Sequence, residues 1–273
     1  MRIVSVGHAV FAATLIGLGI VGLVKGDFTQ VWQPVPKALP GRELLASLCI
    51  LVCLGSGVGL FWQRTAAVAA RVLLAYLLLW TLAFKARFIA IAPTQEVVYQ
   101  SLGENLVLFA GAWVLYAWVA TGWDRQRLGF ATGERGVRIA QVLYALALIA
   151  FGLSPFFYLN MTVPLVPAWL PWHVGWAYFT GAAYLAAALA VLVGVFARLA
   201  AALSALMMGA FTVLVWAPLA LAGTISASQS GEFLVSWVLT AAAWVVADSY
   251  RDAPWLAPRP ALARATQAAR TAS

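Results

Sequence analysis

Near the centre of a membrane helix a charged side chain costs about 2.5 to 3.5 kcal/mol on insertion scales, so each one needs a partner or a purpose. Lys85 and Arg87 close the third of eight long apolar runs, and Glu104 opens the fourth. With Arg42, ahead of the second run, the two cations form a basic, partly dehydrated set of N–H donors suited to an anion or a quinone carbonyl. Trp32 and Trp80 are the aromatic members of this candidate ligand-binding set. A structural reading competes with it: the long cationic side chains snorkel to the headgroups, and Glu104 pairs with Lys85 or Arg87.

His8 and His173 raise the question of haem or metal ligation, and their depths argue against it. His8 falls about 8 Å inside the first run, whereas His173 opens the sixth run at the opposite face. In a hydrocarbon core of about 30 Å the two are on the order of 20 Å apart, too far for one iron. Each is read as a hydrogen-bonded structural residue. Cys49 and Cys53 share a helix face, where Cβ atoms about 6 Å apart exceed the roughly 3.8 Å of a disulfide. They are read as small buried apolar residues. No Cys-x-x-Cys, Walker loop, dinucleotide glycine pattern or His-carboxylate metal spacing occurs. Catalytic residues therefore remain unknown, and no metal ligand is assigned.

The elements that must position these groups are membrane helices. With 64% hydrophobic and 10% charged residues and a mean hydropathy of +0.91, the chain has too little polar surface to clothe a soluble globule. Apolar runs of about 20 residues, the length that crosses the hydrocarbon core, fall at 3–24, 44–62, 66–90, 102–121, 137–159, 173–197, 199–222 and 233–247. Their Leu, Ala and Gly content suits helices rather than the alternating strands of a barrel. The first run ends without a small-x-small cleavage pattern, as expected of a retained helix. With the N-terminus inside, Arg2, Arg64, Arg125, Arg127, Arg135, Arg138, Arg198 and Arg251 gather on one side. That bias places both termini in the cytoplasm of a bacterial inner (plasma) membrane. The net charge of +8 is then topological, and no nucleic-acid partner is implied.

The chain also repeats itself. Val35-Pro36-Lys37-Ala38-Leu39-Pro40 returns as Val166-Pro167-Ala168-Trp169-Leu170-Pro171, and Gly103-Glu104 returns as Gly231-Glu232. Gly22-Leu23 matches Gly152-Leu153, Arg64 matches Arg198, and Trp80 aligns with Trp216. That alignment puts Leu221 and Gly223 where Lys85 and Arg87 would be. A period of roughly 130 residues is too long for a solenoid and reads as a duplicated domain. The expected fold class is an all-α membrane protein of eight transmembrane helices, arranged as two parallel-related four-helix bundles. The units are 1–122 and 137–250, joined by a cytoplasmic linker at 123–136 and followed by a cytoplasmic tail at 251–273. An even number of helices per unit orients both alike, unlike inverted-repeat transporters. The Pro- and Trp-rich loop after the first helix of each unit is expected to fold back over its bundle. Gly55, Gly57 and Gly59 are expected at helix contacts.

The stretch from Val166-Pro167 through Thr180-Gly181, Leu192-Val193-Gly194 and Arg198-Leu199-Ala200-Ala201 to Met207-Met208 resembles the DoxX-like membrane proteins. The first half is similar, more faintly. The resemblance implies two tandem four-helix DoxX-like units over residues 3 to 250. Where that family often carries an acidic residue near the start of the second helix, this chain has Ile50 and Tyr184. It further implies a subunit that binds quinone or another lipophilic molecule and serves a membrane or periplasmic redox partner. The alternatives are a non-catalytic assembly factor or scaffold for another membrane protein and, third, a small-molecule transporter, which would need a chain of ionisable residues at the helix centres.

Overall fold

In a computed structural model, described over residues 4–257, every regular element is helical. Eight helices among the described residues are long and apolar enough to cross a membrane. They are α1 (Val6–Lys25), α2 (Arg42–Leu60), α3 (Ala66–Ile91), α4 (Glu96–Val119), α5 (Gly133–Phe157), α6 (His173–Val193), α7 (Ala197–Leu221) and α8 (Ala227–Asp248). Ends are set by local chemistry. The Ser5 hydroxyl accepts the His8 amide at the start of α1, and Gly26, at φ 64°, closes it. Ser226 and Gln229 form a reciprocal capping box at the start of α8.

The apolar runs differ from these helices chiefly at α4 and α8, each of which begins six residues earlier than hydropathy places it. Polar first turns, Glu96 to Gln100 and Ser228 to Glu232, continue the helix but lower its mean hydropathy. The division between α6 and α7 lies at 194–196, with Gly194 and Phe196 both left-handed, so Arg198 belongs to the first turn of α7. The expected tail at 251–273 lies mostly outside the described residues, as does Arg2.

Successive helices pack as antiparallel neighbours within each quartet, and the quartets also interlock. α4 lies against α5, α1 lies against α8, and α4 and α8 cross at the middle. Small residues permit the close approaches. A Cβ on Gly111 of α4 would sit 3.0 Å from the Ala242 carbonyl oxygen of α8, and one on Gly57 of α2 would sit 2.8 Å from the Ala12 carbonyl oxygen of α1. Gly59 meets Ala69 in the same way, whereas Gly55 faces open space.

The third helix of each quartet contains a π-helical segment, Thr81–Ala86 in α3 and Thr212–Trp216 in α7. The surrounding hydrogen bonds match. Thr81 Oγ1 donates to the Leu77 carbonyl at 2.6 Å and Thr212 Oγ1 to the Met208 carbonyl at 2.9 Å. Asn105 Nδ2 donates to Thr81 Oγ1 at 2.5 Å, while Thr240 and Thr212 hydroxyls are 3.1 Å apart. Lys85 Nζ donates to Ser101 Oγ at 2.7 Å, and Trp216 Nε1 donates to Ser236 Oγ at 3.0 Å. These contacts relate the halves by 131 residues in the third helices and 135 in the fourth. They differ from the sequence alignment, in which Trp216 answers Trp80 and Glu232 answers Glu104. The counterpart of Lys85 is Trp216, and the fourth helices are displaced from that alignment by about two turns.

Candidate functional site

The loop between α1 and α2 is built into the bundle. Phe28, Val31, Trp32 and Val35 are buried, with Trp32 only 1% exposed. Asp27 and Arg42 close its base by an ion pair at 2.7 Å, and the Arg42 guanidinium lies 5.2 Å from the Phe28 ring centroid. Burial works to raise the Asp27 carboxyl. The Phe28 amide and Arg42 outweigh it and hold the group below the usual aspartate range.

Under this loop α3 presents Tyr76, Trp80, Phe84 and Lys85. Trp32 stands edge-on to Tyr76 and Trp80, with centroids 5.3 and 5.4 Å apart, and Trp80 lies 5.6 Å from Phe28 and 4.5 Å from Phe84. The five rings pack against one another in a box-shaped aromatic cluster covered by the loop. Lys85 is 2% exposed. Its ammonium bonds the Gln33 carbonyl of the loop and the Ser101 hydroxyl of α4. The π turn puts it there, because one extra residue per turn rotates the rest of the helix by about 100° relative to an uninterrupted one.

Four buried polar atoms at this place have no hydrogen-bond partner among the described residues: the Trp80 indole N–H, the Tyr76 hydroxyl, the Thr29 hydroxyl and, at the rim, the Arg42 Nε–H. An ammonium carries a further N–H beyond the two that Lys85 spends. The unmet demand under the loop is thus mainly for acceptors. Tyr76 also lies beside Cys49, which with Cys53 is a free, buried thiol on α2.

The six residues singled out in the sequence divide. Lys85, Trp32 and Trp80 come together in the box. Arg42 is at its rim, tied to Asp27. Arg87 is exposed, two residues beyond Lys85 and so on the other side of α3. Glu104 follows Ser101 by three residues on α4 and is half-buried, but it makes no ion pair with Lys85 or Arg87 among the described residues. The ammonium directs its hydrogen bonds to the loop carbonyl and to Ser101 instead. Glu96, buried, accepts from Ser154 Oγ of α5 at 2.5 Å, and Glu232 receives Gln30 Nε2 of the loop at 3.5 Å.

Sequence reasoning missed Arg71, which sits six residues into α3 and is as conspicuous a charge as Lys85. Its Nε and Nη2 lie 2.8 and 2.7 Å from Asp124 Oδ1. Asp124, wholly buried after α4, also accepts from Tyr116 and from the Thr121 hydroxyl and amide. Burial would raise that carboxyl. Thr121, Tyr116 and Arg71 together hold it below the usual aspartate range. This pair is a structural clasp at the opposite end of α3 from Lys85.

The histidines are hydrogen-bonded to backbone. His8 Nδ1 accepts the Val4 amide at 3.4 Å and its Nε2 faces the Leu60 carbonyl at 3.0 Å, while His173 Nε2 faces the Pro167 carbonyl at 3.3 Å. The second loop does not fold in as the first does: Trp169 and Trp172 are 67% and 86% exposed. It lacks an Asp27–Arg42 clasp, and Trp216 fills the place that Lys85 takes in the first half.

Comparison with protein-family models, with curated proteins and with solved structures finds no match.

Proposed function

We propose that this multi-pass membrane protein binds a quinone, or a lipophilic molecule with similar carbonyl acceptors, beneath its first loop and serves a membrane redox complex. One observation carries the reading: unpartnered donors from Trp80, Tyr76 and Thr29, beside the ammonium of Lys85, are collected in one aromatic box. Buried donors without acceptors cost about 1 to 3 kcal/mol each, and a molecule bringing carbonyl oxygens and a flat ring relieves that cost. The resemblance to DoxX-like quartets agrees with such a role. The arginine distribution supports cytoplasmic termini, which would open the box towards the periplasm.

The test is lipid extraction from the purified full chain, with mass spectrometry for stoichiometric quinone. Wild type should carry it, and Lys85→Ala and Tyr76→Phe should lose it while keeping their helical content. A wild-type preparation free of quinone, with an absorption spectrum unchanged between oxidised and reduced conditions, would remove the proposal. Recovery of a stable complex with one other membrane protein, without quinone, would favour the scaffold reading, for which the exposed Trp169 and Trp172 are the available surface.

A further inference from the structure

At the end of the molecule that holds the first and last helix termini, a cavity of about 490 Å³ opens between α7 and α8. Its floor is made of small residues, Ala205 and Gly209, and Trp244 forms a wall. Leu206, 67% exposed, stands at its lip, so the groove faces the surroundings of the bundle and not its core. Two guanidiniums, Arg198 and Arg251, mark its polar end together with Trp255. Arg198 donates one N–H to the Ala253 carbonyl at 2.7 Å and lies 4.1 Å from the Trp255 ring centroid. Arg251 donates one to the Val4 carbonyl at 3.0 Å.

Each guanidinium has five N–H donors, so these backbone contacts fix the arginines and, among the described residues, leave most of their donors without a hydrogen-bond partner. The carboxylate that lines the groove, Asp248, is engaged by the Gly7 amide at 3.1 Å. Asp252, 3.7 Å from Arg251, projects outward with its side chain 95% exposed. Along α7, Gly209 is eleven residues from Arg198, about 16 Å, which is half of a hydrocarbon core of about 30 Å. The groove therefore has a cationic head and an apolar channel one leaflet deep.

We infer that this groove binds one anionic phospholipid of the bilayer, its phosphate on Arg198 and Arg251 and an acyl chain along Ala205 and Gly209. On α3 of the first half, by contrast, Arg71 is paired with the carboxylate of Asp124. The inference rests on membrane insertion alone and is independent of any ligand under the first loop.

Thermal unfolding of the full chain in detergent, with added phosphatidylglycerol, phosphatidylcholine or glycerol phosphate, tests it. Phosphatidylglycerol should raise Tm with saturation, and the other two should not. Arg198→Gln and Arg251→Gln should each weaken the response about fivefold. Ala205→Trp, which keeps both arginines but blocks the channel, should abolish it, and Arg64→Gln at the same end should leave it intact. If the arginine variants do not fold, Ala205→Trp decides. Equal stabilisation by phosphatidylcholine, stabilisation by glycerol phosphate alone, or an unchanged response in Ala205→Trp would overturn the proposal.

Discussion

Arg42, Arg71 and Lys85 show how the same problem, a cation at the edge of an apolar helix, receives three solutions of unequal weight. Arg42 and Asp27 are both partly exposed, at 24% and 42%, so their pair gains little over hydrated ions. Asp124 is wholly buried with donors on both oxygens, and removing it leaves the Tyr116 and Thr121 donors without their acceptor, although Arg71, 35% exposed, can still be hydrated. Asp124→Ala should therefore cost about 1 to 3 kcal/mol, and Asp27→Ala less than about 1 kcal/mol, in unfolding of the detergent-solubilised protein. Similar losses in the two variants would refute the burial argument. Because both carboxyls are held below the ordinary aspartate range, their contributions are present above the unfolded pKa and fade as pH falls through the lower folded value. Acid should thus erode both contributions. Lys85 is solved differently again, by a loop carbonyl and a hydroxyl, and nothing in the spacing of residue 85 announces that Gln33 will bend down to meet it.

Among the elements, the π segments of α3 and α7 decide what reaches the interior. Deleting Ala83 should turn the α3 segment into a regular helix and rotate Lys85 off the box. Lys25 and Lys37 are exposed and should react with an amine-directed reagent in every variant, whereas Lys85 is protected in the wild type. Mass spectrometry should find Lys85 modified after deletion of Ala83 and still protected after deletion of Leu214 from α7. Protection in both deletions would show that the loop, and not the π turn, positions the lysine. The eight helices are legible in the sequence because 20 apolar residues have few other uses. The π turns are not: they leave hydropathy unchanged, and only hydrogen-bond register reveals them. The polar starts of α4 and α8 are hidden for the opposite reason, since Glu96 and Ser228 lower the hydropathy of turns that tertiary partners nevertheless keep helical. The first loop folds back as its Pro and Trp content leads one to expect, and it does so around Trp32. The second is also rich in Pro and Trp but stays out: Trp169 and Trp172 are exposed, and on α7 Phe211, at the place of Trp80, packs on Trp216 of its own helix instead of on the loop.

At the scale of the whole molecule, interlocking sets what the halves can do alone. Apolar helix faces resemble lipid, so hydropathy along the chain names no partner for them; close packing of small residues does. Gly103 of α4 meets Phe151 of α5, a Cβ there falling 3.0 Å from the ring, and Trp237 of α8 donates to Thr14 of α1 at 3.1 Å. Each quartet therefore leaves a first or last helix packed on the other. The first loop also leans on the second half, with Gln30 against Gly231 and Glu232. Cutting the chain within the short connection before α5 should give two fragments that co-purify when expressed together. Either fragment expressed alone should aggregate or be degraded, because it exposes the small-residue faces and the Gln30 contact that its partner covers. The decisive measurement is cooperative thermal unfolding of each isolated fragment. A transition near that of the intact protein would mean that each quartet is complete by itself, and that the contacts across the middle of the molecule only join two finished bundles.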